Sequence, residues 1–160
     1  MKTSKFLFKG IVVLSAAFAL AACGSNEETK TSSSSKTMEL ALLQDGTYKA
    51  ESGKDEYGYK IVHSITVKEG KITESTFDYE GEDGGLKSAN EEYNKNMKDK
   101  AGVSAGEAIE KLNAELVKTQ DLAAVEVVSG ATHTSEDFQK ATKALLAAAE
   151  EGKTETVKID

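Results

Sequence analysis

The sequence predicts a single α+β domain: a small antiparallel sheet with helices packed on it. Three observations lead to it. Residues 59–68 (YKIVHSITVK) alternate apolar and polar, and a second β-rich run follows across one tight turn. Helical periodicity is confined to the later half of the chain. A last β-branched stretch then follows the helices, and strands that precede helices in this way form α+β domains.

Taken in order, Asp45-Gly46 is a turn signal before a short strand over 47–50. In 59–68, Tyr59, Ile61, His63, Ile65 and Val67 share one face. His63 lies in that apolar row, so it is expected to be a packed, hydrogen-bonded histidine rather than a ligand. Glu69-Gly70 turns the chain into a strand over 71–80 carrying Ile72, Phe77 and Tyr79, which completes a β-hairpin. Residues 81–90 (GEDGGLKSAN) read as a flexible glycine-rich loop and 91–100 as a highly charged helix, in which Tyr93 and Met97 share a face expected to pack on the core. Ser104-Ala105-Gly106-Glu107 fits a capping box, and behind it Ile109, Leu112 and Leu116 mark one face of a helix to about residue 119. Residues 123–128 are expected to form a fourth strand. A last helix over 135–150 carries Phe138, Leu145 and Leu146 and ends at Gly152, and 154–159 adds an edge strand. The chain has no proline and no internal repeat.

The first residues define a compartment. Lys2, Lys5 and Lys9 precede an apolar run over 11–19, and Leu20-Ala21-Ala22-Cys23 follows. A basic start, a short apolar core and small residues make a secretory signal peptide, too short to span a bilayer comfortably. Leu-Ala-Ala-Cys resembles the bacterial lipobox, whose cysteine is lipidated and becomes the first mature residue. The expected organisation is therefore a signal peptide over 1–22, lipidated Cys23 with a polar, serine-rich tether to 37, and one domain over 38–160. The expected location is the extracytoplasmic face of the cell membrane.

Cys23 is the only cysteine, so the mature domain has no thiol and any redox work falls to a bound cofactor. Net charge is −7, and −10 once the three leader lysines are removed; there is no arginine. Such a surface argues against a nucleic-acid partner and against docking on anionic lipid through a basic patch, leaving the lipid as the membrane anchor. No acid–base pair, metal-ligand cluster or nucleophile triad stands out, so an electron carrier is expected over an enzyme with its own substrate.

The most informative stretch is 127–135 (VVSGATHTS), which joins a β-branched run to the last helix. Free N–H groups and the positive end of a helix dipole at such a junction favour an anion. Ser129, Thr132, Thr134 and Ser135 offer hydroxyls, and Gly130 and Ala131 let a ligand approach the backbone. The alternative is a helix capped by Thr134 or Ser135 and preceded by a polar turn. On chemistry alone both readings stand.

Ser129-Gly130-Ala131-Thr132 resembles the S/T-G-A-T motif of the FMN-binding domain found in flavin subunits of sodium-pumping quinone reductases and in bacterial surface lipoproteins. Asp45-Gly46-Thr47-Tyr48, Gly70-Lys71-Ile72, Gly84-Gly85-Leu86-Lys87-Ser88 and Tyr93-Asn94-Lys95-Asn96-Met97 come in the family's order, so the resemblance covers about residues 45–150. It implies FMN as cofactor, held by Ser129, Gly130, Ala131, Thr132 and Thr134, with Lys87 near its phosphate or pyrimidine edge; the alternatives are a surface lysine on a solvated loop at Lys87 and, for Tyr93 and Met97, stacking on the flavin in place of core packing. It further implies an FAD:protein FMN transferase as partner, which joins FMN through a phosphoester to Thr132. The family's pattern has aspartate three residues before the serine, and Glu126 stands there in this chain; the extra methylene bears on covalent attachment more than on binding. The implied function is an anchored shuttle that takes electrons from a membrane quinone or dehydrogenase and passes them outward. The alternative is a non-redox binding lipoprotein, which is colourless when purified.

Overall fold

A computed structural model describes residues 42–160; the leader, Cys23 and the tether lie outside the described residues. Strands β1 (Gly46–Lys54), β2 (Lys60–Lys68) and β3 (Lys71–Glu80) form an antiparallel meander. Helices α1 (Glu91–Ala101), α2 (Ala105–Thr119) and α3 (Thr132–Glu151) follow, and β4 (Val157–Ile159) closes the chain. The sheet order is β3-β2-β1-β4, with β4 parallel to β1, so the expected edge strand makes the sheet mixed.

The inner face of the sheet is set by alternation. Tyr48 and Ala50 of β1 and Ile61, His63, Ile65 and Val67 of β2 are buried against Leu112 and Leu116 of α2 and Phe138 and Leu145 of α3. Full burial of a side chain such as Phe138 contributes about 2–3 kcal/mol. In β3, Ile72 and Phe77 are an odd number of residues apart, yet both are buried. The ladder explains this: Thr66 pairs with Glu74 and Val67 with Ile72, leaving Thr73 as an extra residue. One bulge residue reverses the phase of the pleat, so both apolar side chains reach the core. His63 packs between Phe77 and Phe138, with ring centroids 5.5 and 5.3 Å away, and its Nε2 lies 2.9 Å from Thr142 Oγ1.

The capping box at Ser104 is formed in both directions: Ser104 Oγ accepts from Glu107 N, and the Glu107 carboxylate accepts from Ser104 N. The α2 helix then lies along the open edge of β3 and supplies two side-chain amides where a neighbouring strand would pair. Asn113 accepts from Phe77 N at 2.8 Å and donates to Phe77 O at 3.2 Å. Gln120 accepts from Ile72 N at 2.8 Å and donates to Ile72 O at 2.7 Å.

The strand expected over 123–128 is not formed. Leu122–Ala124 is a 3-10 turn held by the Asp121 carboxylate, which accepts from Ala123 N. Val125 and Val128 are buried singly, as pegs under an extended connector with no strand beside it. β-branched residues satisfy the local preference for extended backbone, but a strand also needs a partner edge, and here α2 and α3 occupy the space.

Candidate functional site

The α3 helix begins at Thr132, three residues earlier than its apolar periodicity indicates. Neither Thr134 nor Ser135 caps it. The N-cap is Ala131, without a side-chain cap bond. Ser135 is fully buried and staples the connector from inside: its Oγ accepts from Val128 N and donates to Ala131 O, both at 3.0 Å. Thr134 is also buried, its side chain against the Tyr79 hydroxyl. The helix therefore presents its first-turn N–H groups without a side-chain cap, while Ser129, Thr132 and His133 are exposed beside them. Of the four hydroxyls, two serve the fold and two face outward.

Gly130 has φ +82°, and a Cβ there would stand 2.4 Å from the Ala101 carbonyl oxygen and 3.1 Å from Val103 Cγ1. On its Cβ side Gly130 faces the α1–α2 corner of the same chain, while the residue itself is exposed. The glycine is what lets that corner approach the junction.

The 81–90 segment is a folded corner and not the flexible loop its glycines predict. Gly81 N donates to Gly85 O, Gly84 N to Gly81 O and Gly85 N to the Asp83 carboxylate, while Leu86 bridges back to Glu80. A 3-10 turn, Lys87–Ala89, follows. It places the Lys87 ammonium over three tyrosine rings, 4.4 Å from the centroid of Tyr79, 4.9 Å from Tyr93 and 5.1 Å from Tyr59. Tyr93, expected in the core, is exposed on the side of α1 that faces this lysine; Met97 alone of that pair packs against the core.

Tyr79 connects the lysine to α3. Its hydroxyl donates to Asp137 Oδ2 at 2.7 Å, and His133 Nε2 is 3.4 Å from the same oxygen. Burial, then the neighbouring Asp137 carboxylate, pushes the Tyr79 phenol well above its ordinary range, so it stays a neutral donor. A continuous line of contacts thus runs from Lys87 through Tyr79 and Asp137 to His133, which is next to Thr132. Tyr59, Tyr79 and Asp137 are the residues that sequence reasoning did not place at a site. Asp137 alone carried a local signal, since it lies one helical turn beyond His133. Glu126 is exposed, and its backbone N–H donates to the Glu115 carboxylate at 3.3 Å.

Chemically, the uncapped helix start suits a phosphate, and Lys87, whose ammonium rests on the three tyrosine rings, supplies a cation in a chain without arginine. No cluster of metal-ligating side chains occurs among the described residues. A cavity of about 380 Å³ has a lining that includes Val62, Ser64, Thr76, Asp78 and Leu86 but neither Lys87 nor any of 129–132.

The model of the FMN-binding domain matches residues 56–147, a span that includes Lys87 and 129–132. A 15 kDa lipoprotein of Treponema pallidum is 31% identical over 119 residues, covering 74% of this chain and 84% of that protein. The crystal structure of a Clostridium perfringens protein superimposes with a TM-score of 0.69 at 36% identity, over 74% of this chain and 100% of that one.

Proposed function

Because this chain belongs to the FMN-binding domain family, with FMN as its cofactor, we propose that it is a lipid-anchored flavoprotein of the extracytoplasmic membrane face that carries electrons from a membrane quinone or dehydrogenase to an external acceptor. FMN, when bound, supplies the one- and two-electron chemistry, and the polypeptide supplies binding and placement. The observation that carries the reading is the uncapped start of α3, with exposed Ser129 and Thr132 beside it. Backbone N–H groups and the helix dipole there meet phosphate charge without arginine.

Thr132 is the covalent acceptor in this reading. The transferase moves FMN from FAD to Thr132 Oγ, the hydroxyl proton is lost, and AMP leaves. The anchor is Cys23, in line with the lipobox-like Leu-Ala-Ala-Cys and with the lipoprotein of Treponema pallidum. Within the domain, the N–H and side-chain amide of Gln44 donate to Ala149 O and Glu150 O, at the end of α3 opposite Thr132.

Intact-protein mass spectrometry of the mature chain, produced with and without an FMN transferase, tests this. A gain of one FMN less one water, absent in Thr132→Ala, is the expected result. A yellow chain that releases FMN on denaturation limits the reading to a non-covalent carrier and points to Glu126. A colourless chain in every case overturns it in favour of a binding lipoprotein.

A further inference from the structure

Asp78 is a buried carboxylate whose role in the core is not evident. It sits between inward-facing Phe77 and Tyr79 on β3, so its side chain leaves the opposite face of the sheet, at the register position of Val62. Sequestering a carboxylate is unfavourable unless its oxygens are satisfied. Here Asp78 has no ion-pair partner among the described residues; besides its neighbour Tyr79 N, it accepts from Ser88 N at 3.2 Å and from Ser88 Oγ.

The same short turn is held from the other side. The Asn94 side-chain amide of α1 donates to Lys87 O at 3.2 Å and to Ser88 O at 2.8 Å, while its carbonyl oxygen accepts from Gly106 N. Asp78 takes the donors of Ser88 and Asn94 fills the acceptors, so the backbone that carries Lys87 is fixed on both sides. The Lys87 side chain is treated differently. Its ammonium makes no ion pair among the described residues and rests on three ring faces. A lysine ammonium has three donors, and ring faces satisfy charge without occupying them as an oxygen would. The backbone is locked and the cation is left available.

We propose that Asp78 is a positioning residue for FMN: acting through Ser88 from the far face of the sheet, it holds Lys87 as a preset cation that binds an oxygen of the flavin nucleotide. The inference rests on the FMN reading above. Presetting matters because a free lysine loses side-chain entropy on engaging a ligand, whereas one already held in place loses less.

Reversible FMN binding by the mature chain, made without transferase, tests it through quenching of flavin fluorescence. Lys87→Met is expected to weaken FMN binding roughly tenfold, the scale of one lost charge-assisted hydrogen bond. Asp78→Ala and the milder Ser88→Ala are expected to weaken it several-fold, with a thermal melt confirming that Ser88→Ala is folded. The decisive measurement is the double-mutant cycle, because a positioning role disappears once its target is gone. In the Lys87→Met background Asp78→Ala should change affinity less than about twofold. Riboflavin in parallel locates the contact: a loss shared with FMN puts Lys87 on the ring, a loss confined to FMN puts it on the phosphate, and either upholds the proposal. Tight wild-type binding that Lys87→Met leaves unchanged overturns this inference alone. So does an Asp78→Ala effect that persists undiminished in the Lys87→Met background. A wild-type chain that binds no FMN overturns the cofactor reading and this inference with it.

Discussion

A side chain at Gly130 would press its Cβ against the Ala101 carbonyl, on a backbone with φ +82°. The obstacle is backbone, which cannot swing aside as a flexible side chain does. Gly130→Ala is therefore expected to destabilise the chain by about 2 kcal/mol or more, measured by urea unfolding. It should also displace the helix start and weaken FMN binding. An unchanged midpoint would show that the α1–α2 corner does not rest on the junction. The neighbouring hydroxyls divide by burial: Ser135 is a staple of the fold, whereas Thr132 is free for chemistry. Thr132→Ala should accordingly leave stability nearly unchanged while abolishing covalent flavin, the opposite signature to Gly130→Ala.

At the scale of elements, the edge of β3 is covered by a helix that behaves locally like a strand. An uncovered edge offers unpaired N–H and C=O groups to other chains. Asn113 and Gln120 close it with one donor and one acceptor each, at Phe77 and Ile72. Asn113→Ala and Gln120→Ala are each expected to cost about 1–2 kcal/mol in urea unfolding, since each strips two bonds from the β3 backbone and one more from a neighbour, Ser75 or Val117. The double variant should be close to additive, and it should associate more than the wild type at high concentration in light scattering. If both variants unfold like wild type, water replaces the amides without cost and the edge is not defended this way.

For the whole molecule, His63 joins β2, β3 and α3 in one buried contact, so its protonation acts on global stability. Burial lowers its pKa from an ordinary 6.5 to about 4. Between those values the unfolded chain takes up a proton that the folded chain refuses. The stabilisation is thus complete above pH 6.5 and is lost as pH falls toward 4, by up to about 3 kcal/mol. Carboxylates held low in the fold act mainly below pH 4.5, overlapping only the foot of this window; the capping Glu107, lowered from 4.5 to about 2 by Lys98 and by Ser104, is the clearest. Urea unfolding at pH 7, 5.5 and 4.5 should show the decline, and His63→Phe should flatten it. A slope that persists in His63→Phe assigns it to other groups.

Hairpin, capping box and the order of helices were legible in the sequence because each is written in short-range chemistry: a period of two, a serine three residues before a glutamate, a glycine after the last apolar turn. The FMN motif was legible for the same reason, being four consecutive residues with a supporting order of glycines and tyrosines. Tertiary structure decided what local preference leaves open. Residues 123–128 prefer extended backbone, yet no sheet edge reaches them, and the 3-10 turn at Asp121 takes part of the segment. Ile72 and Phe77 share a face only because Thr73 is left over in the ladder, which depends on the register of β2. Lys87, Tyr59, Tyr79, Tyr93 and Asp137 come from different parts of the chain, and only packing makes them neighbours. The sequence by itself determined the hairpin, the capping box and the cofactor, since each is encoded within a few residues. The neighbours of Lys87 were decided by the fold, since contact across a sheet edge depends on register and packing that no local pattern records.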